Sequence, residues 1–154
     1  MPTMTRPRPT VLRPRRIPLP AGPAAPAQAR RQVQAAISAW DLPVDPDVAV
    51  LLTSELVTNA VRQQAGQPIL LTITGTGGQL RVDVHDTSRA RPVPADAPAD
   101  AEAGRGLMLV ARLSAAWGYH QTPAGKAVYF TLAAPATPRD GEHPSPQGDR
   151  TWAR

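Results

Sequence analysis

The stretch SELVTNAVRQQ, residues 54–64, sets Glu55 and Asn59 four positions apart within an apolar pattern formed by Leu52, Leu56, Val57, Ala60 and Val61. Four-residue spacing stacks two side chains on one face of a helix. Asn is a mediocre helix former, because its amide competes for backbone hydrogen bonds. Its carbonyl oxygen suits a hard cation such as Mg²⁺, which keeps several waters and is mostly held by substrate phosphates. A carboxylate about 6 Å away along the helix axis could take the proton of an attacking hydroxyl. Taken alone, the pair reads first as a solvent-facing polar stripe on an amphipathic helix.

Two further stretches could do chemistry. Asp86 shares strand parity with Leu80, Val82 and Val84, so alternation directs it toward the core, where a carboxylate needs hydrogen bonds. It reads either as an acceptor for a ligand amino group or as the first residue of a turn. Gly104-Arg105-Gly106 precedes an apolar helical pattern, GLMLVARL. Glycines before a helix allow close backbone approach and present free N–H groups at its positive end, a seat for phosphate. An ordinary loop-to-helix junction would look the same, and neither a GxxxxGK[ST] loop nor a Rossmann GxGxxG is present.

The rest of the composition narrows the chemistry. The 154 residues contain no cysteine, which excludes thiolate catalysis, disulfides and Cys-ligated zinc. His85, His120 and His143 include no pair at helical metal-ligand spacing. The net charge of +5 is unevenly spread: seven arginines and no acid precede residue 32, whereas residues 32–133 hold seven bases against nine acids. Nucleic acid is therefore an unfavoured partner of the body, which also lacks an aromatic-basic surface pattern. No apolar run is long enough to cross a bilayer. Arg15-Arg16 before IPLPAGPAAPA resembles an export signal only superficially, since prolines spoil an apolar helical region, and the reading is a cytoplasmic protein.

These residues must be positioned by one domain, residues 11–133, between a basic Pro-rich tail (1–10) and a C-terminal tail (134–154), both read as disordered. VLRPRRIPLP suits an edge strand, where proline is tolerated. Helices are predicted over 25–40, with Val33, Ala36, Ile37 and Trp40 on one face, and over 46–64, with Asp45 as N-cap and Pro46 first in the helix. Ile69, Leu71 and Ile73 alternate, Gly75, Gly77 and Gly78 turn the chain, and Leu80, Val82 and Val84 return. Residues 88–103 read as a long loop. A helix from Gly104 and two strands, GYHQT and KAVYFTL, follow, with Val128, Phe130 and Leu132 inward. The order (β)ααββαββ predicts an α+β two-layer sandwich, helices on one face of a mainly antiparallel sheet.

In this order, ELVTNAVR, VDVHDTS, GRGLMLV followed by WG, and GKAVYF resemble the GHKL ATPase/kinase superfamily, and within it the small anti-sigma-factor-type serine/threonine kinases of actinomycetes. The resemblance covers most of residues 11–133. It implies the histidine-kinase-like ATPase fold, ATP and Mg²⁺, with Asn59 as metal ligand and Glu55 as general base toward a partner's Ser or Thr. Asp86 would accept from the adenine amine and select against guanine. Residues 88–103, beginning with Ser88, would form the ATP lid, and Gly104, Arg105, Gly106 and Leu107 would lie against the phosphates. The implied partner is an anti-anti-sigma-like protein that is phosphorylated, a sigma factor that is sequestered, or both; relatives often form homodimers.

Three departures from the family pattern stand out. Gln63 and Gln64 replace the last two residues of A-V-R-H-A, Ser88 replaces the glycine of D-x-G, and Ala127 replaces the usual Thr of the last strand, near the base. A lost hydrogen bond of that kind weakens binding by about 1 kcal/mol. The alternative reading is a nucleotide-binding interaction module without useful phosphotransfer.

Overall fold

The structure is a computed structural model that describes residues 14–63, 66–92 and 101–135. The expected tail over 1–10 lies outside the described residues, as do Gln64, positions 93–100 of the expected lid and all of the C-terminal tail beyond residue 135.

Strand β1 (Arg15–Leu19) leads into α1 (Ala25–Trp40) and α2 (Pro46–Gln63). The hairpin of β2 (Ile69–Thr76) and β3 (Gln79–Asp86) precedes α3 (Ala101–Leu113), and β4 (Ala116–Thr122) with β5 (Gly125–Leu132) closes the chain. The sheet order is β1-β2-β3-β5-β4, and each neighbouring pair is antiparallel. This is the α+β sandwich that periodicity predicts, with β1 on the edge, where the missing N–H of Pro18 removes no central ladder bond.

Local chemistry explains the boundaries. Asp45 Oδ1 accepts from the backbone N–H groups of Asp47 (2.9 Å) and Val48 (3.4 Å), so it caps α2 as its position before Pro46 predicts. Helix α1 ends where Asp41 turns left-handed at φ 50°, sending its N–H back to the helix carbonyls. The β2–β3 turn is made by Gly77 and Gly78 alone, with φ of 57° and 81°; both residues of such a tight hairpin turn need positive φ. Gly75, read as part of the turn, lies inside β2, paired with Leu80.

One apolar layer joins helices and sheet. Val33, Ala36 and Ile37 of α1, Leu52, Leu56 and Val57 of α2 and Val110 of α3 bury against Leu71, Ile73, Val82, Val84 and Phe130. Trp40 packs partly buried at the margin, with the Arg15 guanidinium 5.0 Å from its ring centroid. Among the described residues, no helix is long and apolar enough to cross a membrane.

Candidate functional site

Helix α2 packs on the sheet beside α3, and its stripe Glu55, Asn59, Gln63 repeats every four residues along one side. Only Gln63 at its end is exposed; the Glu55–Asn59 part is not a solvent-facing stripe. Asn59 is buried, and its Oδ1 has no hydrogen-bond partner among the described residues. An unsatisfied buried acceptor costs about 1–3 kcal/mol, so a purely structural role leaves Asn59 unexplained. The atom is an amide oxygen waiting for a donor or a cation.

Glu55 is half-buried one turn earlier, against α3. A Cβ built on Gly106 would stand 2.5 Å from Glu55 Oε2 and 3.4 Å from its Cβ and Cδ, so the glycine is what admits the carboxylate there. The two signals meant to flank a ligand therefore touch each other.

The glycines do not precede α3, however. The helix starts at Ala101 and runs through Gly104, Arg105 and Gly106. Ala101, Glu102 and Ala103 are good helix formers, and a helix interior tolerates glycine at about 1 kcal/mol relative to alanine. Free N–H groups belong to the cap and first three residues of a helix, so Arg105, Gly106 and Leu107 spend theirs within α3. Leu107 puts its side chain into the core, and Arg105 is exposed. Of the expected phosphate seat, the first turn of α3 and the Glu55–Gly106 contact remain.

Asp86 ends β3 facing the helices, as its parity predicts, and is buried. The turn reading holds: Oδ1 accepts the Ser88 N–H at 2.9 Å, which starts a turn. Ser88 Oγ in turn accepts from the Ala90 N–H at 3.1 Å. The chain beyond is strapped to the β4–β5 hairpin by Arg89 Nη2 on the Pro123 carbonyl (3.2 Å) and Arg91 Nε on Tyr119 Oη (2.8 Å). The expected loop 88–103 thus has a held beginning and a helical end.

Opposite Asp86 stands a residue that the motif comparison missed. Lys126 is paired with Asp86 across β3 and β5, is fully buried, and places Nζ 3.0 Å from Asp86 Oδ1. Its ammonium also donates to Gln63 Oε1 at 2.9 Å. Gly125 allows this closeness, since a Cβ there would collide with the Asp86 carbonyl oxygen and lie 2.6 Å from Thr87 Cα. Ala127 is on the other face of the sheet, between His85 and His120 in the ladder. Directly paired antiparallel residues share a face, so it is position 126 that lies beside Asp86. Counting back by twos from Leu132, Phe130 and Val128 reaches Lys126 and would have found it.

The open face of the sheet carries a separate cluster. Arg81 makes a two-bond pair with Asp83, both contacts 3.0 Å, and lies 4.0 Å over the Tyr129 ring. Tyr129 covers Gly118, the glycine of the WG pair, where a Cβ would stand 2.9–3.2 Å from its ring and hydroxyl. His85 Nε2 is 3.3 Å from Thr72 Oγ1, and burial holds its pKa below the usual histidine value, with His120, Arg16 and Arg81 acting in the same direction against Asp83.

Among the described residues no three His, Asp or Glu side chains converge on a possible metal centre. A cation at Asn59 would have one amide oxygen from the protein, which suits Mg²⁺ carried in on phosphates. The family model of the histidine kinase-like ATPase domain matches residues 19–132, a span that includes Glu55, Asn59, Asp86, Gly104–Leu107 and Lys126. No significant match is found among curated proteins.

Proposed function

The chain belongs to the histidine kinase-like ATPase family, and from that premise we propose that it is an ATP-binding, anti-sigma-type serine/threonine protein kinase acting in the cytoplasm. Family membership implies ATP binding. The kinase reading rests on the polar stripe of α2: Asn59 offers a buried, unpartnered oxygen, and Glu55 stands one turn away on Gly106. ATP would lie with its base at Asp86 and its phosphates toward Asn59 and the start of α3. Mg²⁺, when bound, neutralises phosphate charge; Asn59 is the residue that would hold it.

The reaction is then a transfer of the γ-phosphoryl group to a Ser or Thr of a protein partner. The hydroxyl oxygen bonds to γ-phosphorus, the bond from γ-phosphorus to the β–γ bridging oxygen breaks, and Glu55 takes the hydroxyl proton. Alignment and charge stabilisation provide most of the acceleration in such reactions. The proposed partner is an anti-anti-sigma-like protein, with direct sequestration of a sigma factor as a companion role. Ala127 faces away from Asp86, so the absence of a hydroxyl there takes nothing from this site.

The test is transfer of labelled γ-phosphate to a partner co-purified from native cytosol, comparing wild type with Glu55→Gln. Retained ATP affinity with a rate lowered about 10²–10⁴-fold supports the reading. Equal rates would remove Glu55 as base, and ATP binding without transfer would leave an interaction module.

A further inference from the structure

The mechanism above leaves Lys126 unused, although it is the largest fully buried side chain among the described residues and sits beside the residue assigned to the base. A buried ammonium needs acceptors for all three hydrogens. Asp86 Oδ1 and Gln63 Oε1 take two of them, at 3.0 and 2.9 Å. Both bonds that reach Asp86 from Ser88 and Lys126 end on Oδ1, and Oδ2 receives neither. At the end of β3 an acceptor, Asp86 Oδ2, is thus left next to a donor, the third hydrogen of Lys126.

We propose that Lys126 is a specificity-determining residue that donates to ring nitrogen N1 of the adenine while Asp86 accepts from the exocyclic amine. This rests on the reading of Asp86 as the base site. The adenine edge carries a donor, the amine, next to an acceptor, N1, so a fixed acceptor–donor pair matches it. Guanine carries a carbonyl next to an N–H, the reverse order, which sets oxygen against carboxylate and N–H against ammonium. Side-chain exposures of 1% for Lys126 and 2% for Asp86 keep the pair out of water. A ligand that reaches the carboxylate meets the ammonium in the same step. Gln63 is a positioning residue: its neutral amide holds Nζ in place without adding a titrating group at this position.

The experiment compares calorimetric affinities for ATP and 1-deaza-ATP, which lacks only the N1 acceptor, in wild type and in Lys126→Met. A hydrogen bond to a charged group corresponds to a preference for ATP of about 10- to 100-fold. Wild type should show that preference, and in Lys126→Met the two affinities should converge. If Lys126→Met does not fold, Gln63→Met, which keeps both charges, should shrink the preference. Equal affinities in wild type overturn the proposal, and so does a preference that survives these substitutions. Absence of ATP binding altogether would instead remove the base-site reading and this proposal with it.

Discussion

The carboxylate of Glu55 occupies the space that a methyl group on Gly106 would need, with Oε2 2.5 Å from its position. Gly106→Ala would have to push the carboxylate off its seat or part the helices. A displacement of about 1 Å in a catalytic group can lower a rate roughly 10²-fold. Phosphotransfer by Gly106→Ala should therefore fall by about that factor, while ATP affinity changes far less. Single-turnover rates beside calorimetric affinities check this; an unchanged rate would show that Glu55 has no fixed post.

Asn59 keeps a buried acceptor without a partner. Asn59→Leu keeps the branched outline of the side chain and removes the unsatisfied group, so the ligand-free protein should gain about 1 kcal/mol of stability. Stabilisation by Mg-ATP should disappear in the same variant. Thermal unfolding with and without Mg-ATP measures both effects. A variant that is less stable when ligand-free would mean that Asn59 serves the fold.

The Asp86–Lys126 pair should be costly to break and inexpensive to replace. Removing one partner of a buried ion pair typically destabilises by roughly 3–5 kcal/mol, whereas substituting both with apolar residues is often near neutral. Asp86→Leu should thus lose several kcal/mol in urea unfolding, and adding Lys126→Met should restore most of it. If the double variant is no better than the single one, the pair is not sealed from water as the geometry indicates.

His85 makes stability depend on pH. Its folded pKa lies below the ordinary 6.5, because burial disfavours the charged imidazole. The unfolded chain therefore binds the proton more readily. Its stabilising contribution is complete above pH 6.5 and is lost as pH falls through 6.5 toward the folded value. Urea midpoints measured from pH 8 to pH 5 should fall, and His85→Gln should flatten the lower part of that profile. An unaltered slope would place the acid sensitivity elsewhere.

Gly118→Ala should destabilise by about 1–3 kcal/mol through overpacking, because the new methyl meets the Tyr129 ring that carries Arg81. A matching loss in the Tyr129→Ala background would point to backbone strain instead, so the double variant is the control. Near-additivity would discount the contact.

Most of the element order was written in the sequence by itself. Period-two and helical patterns located the hairpin, α1 and α2, and Asp45-Pro46 marked the start of α2, because these signals lie within a few residues of what they govern. The same alternation turned Asp86 inward. Tertiary structure decided what required distant segments to meet. Gln63 and Lys126 are 63 positions apart, and Glu55 reaches Gly106 only because α3 packs on α2. The start of α3 was misread because glycine marks turns locally, whereas here Ala101–Ala103 carry the helix across it. Motif position points to Ala127, whereas strand parity and the ladder put Lys126 on the face of Asp86. A sequence records which face of each element is apolar; which polar groups are left facing one another depends on how those faces pack.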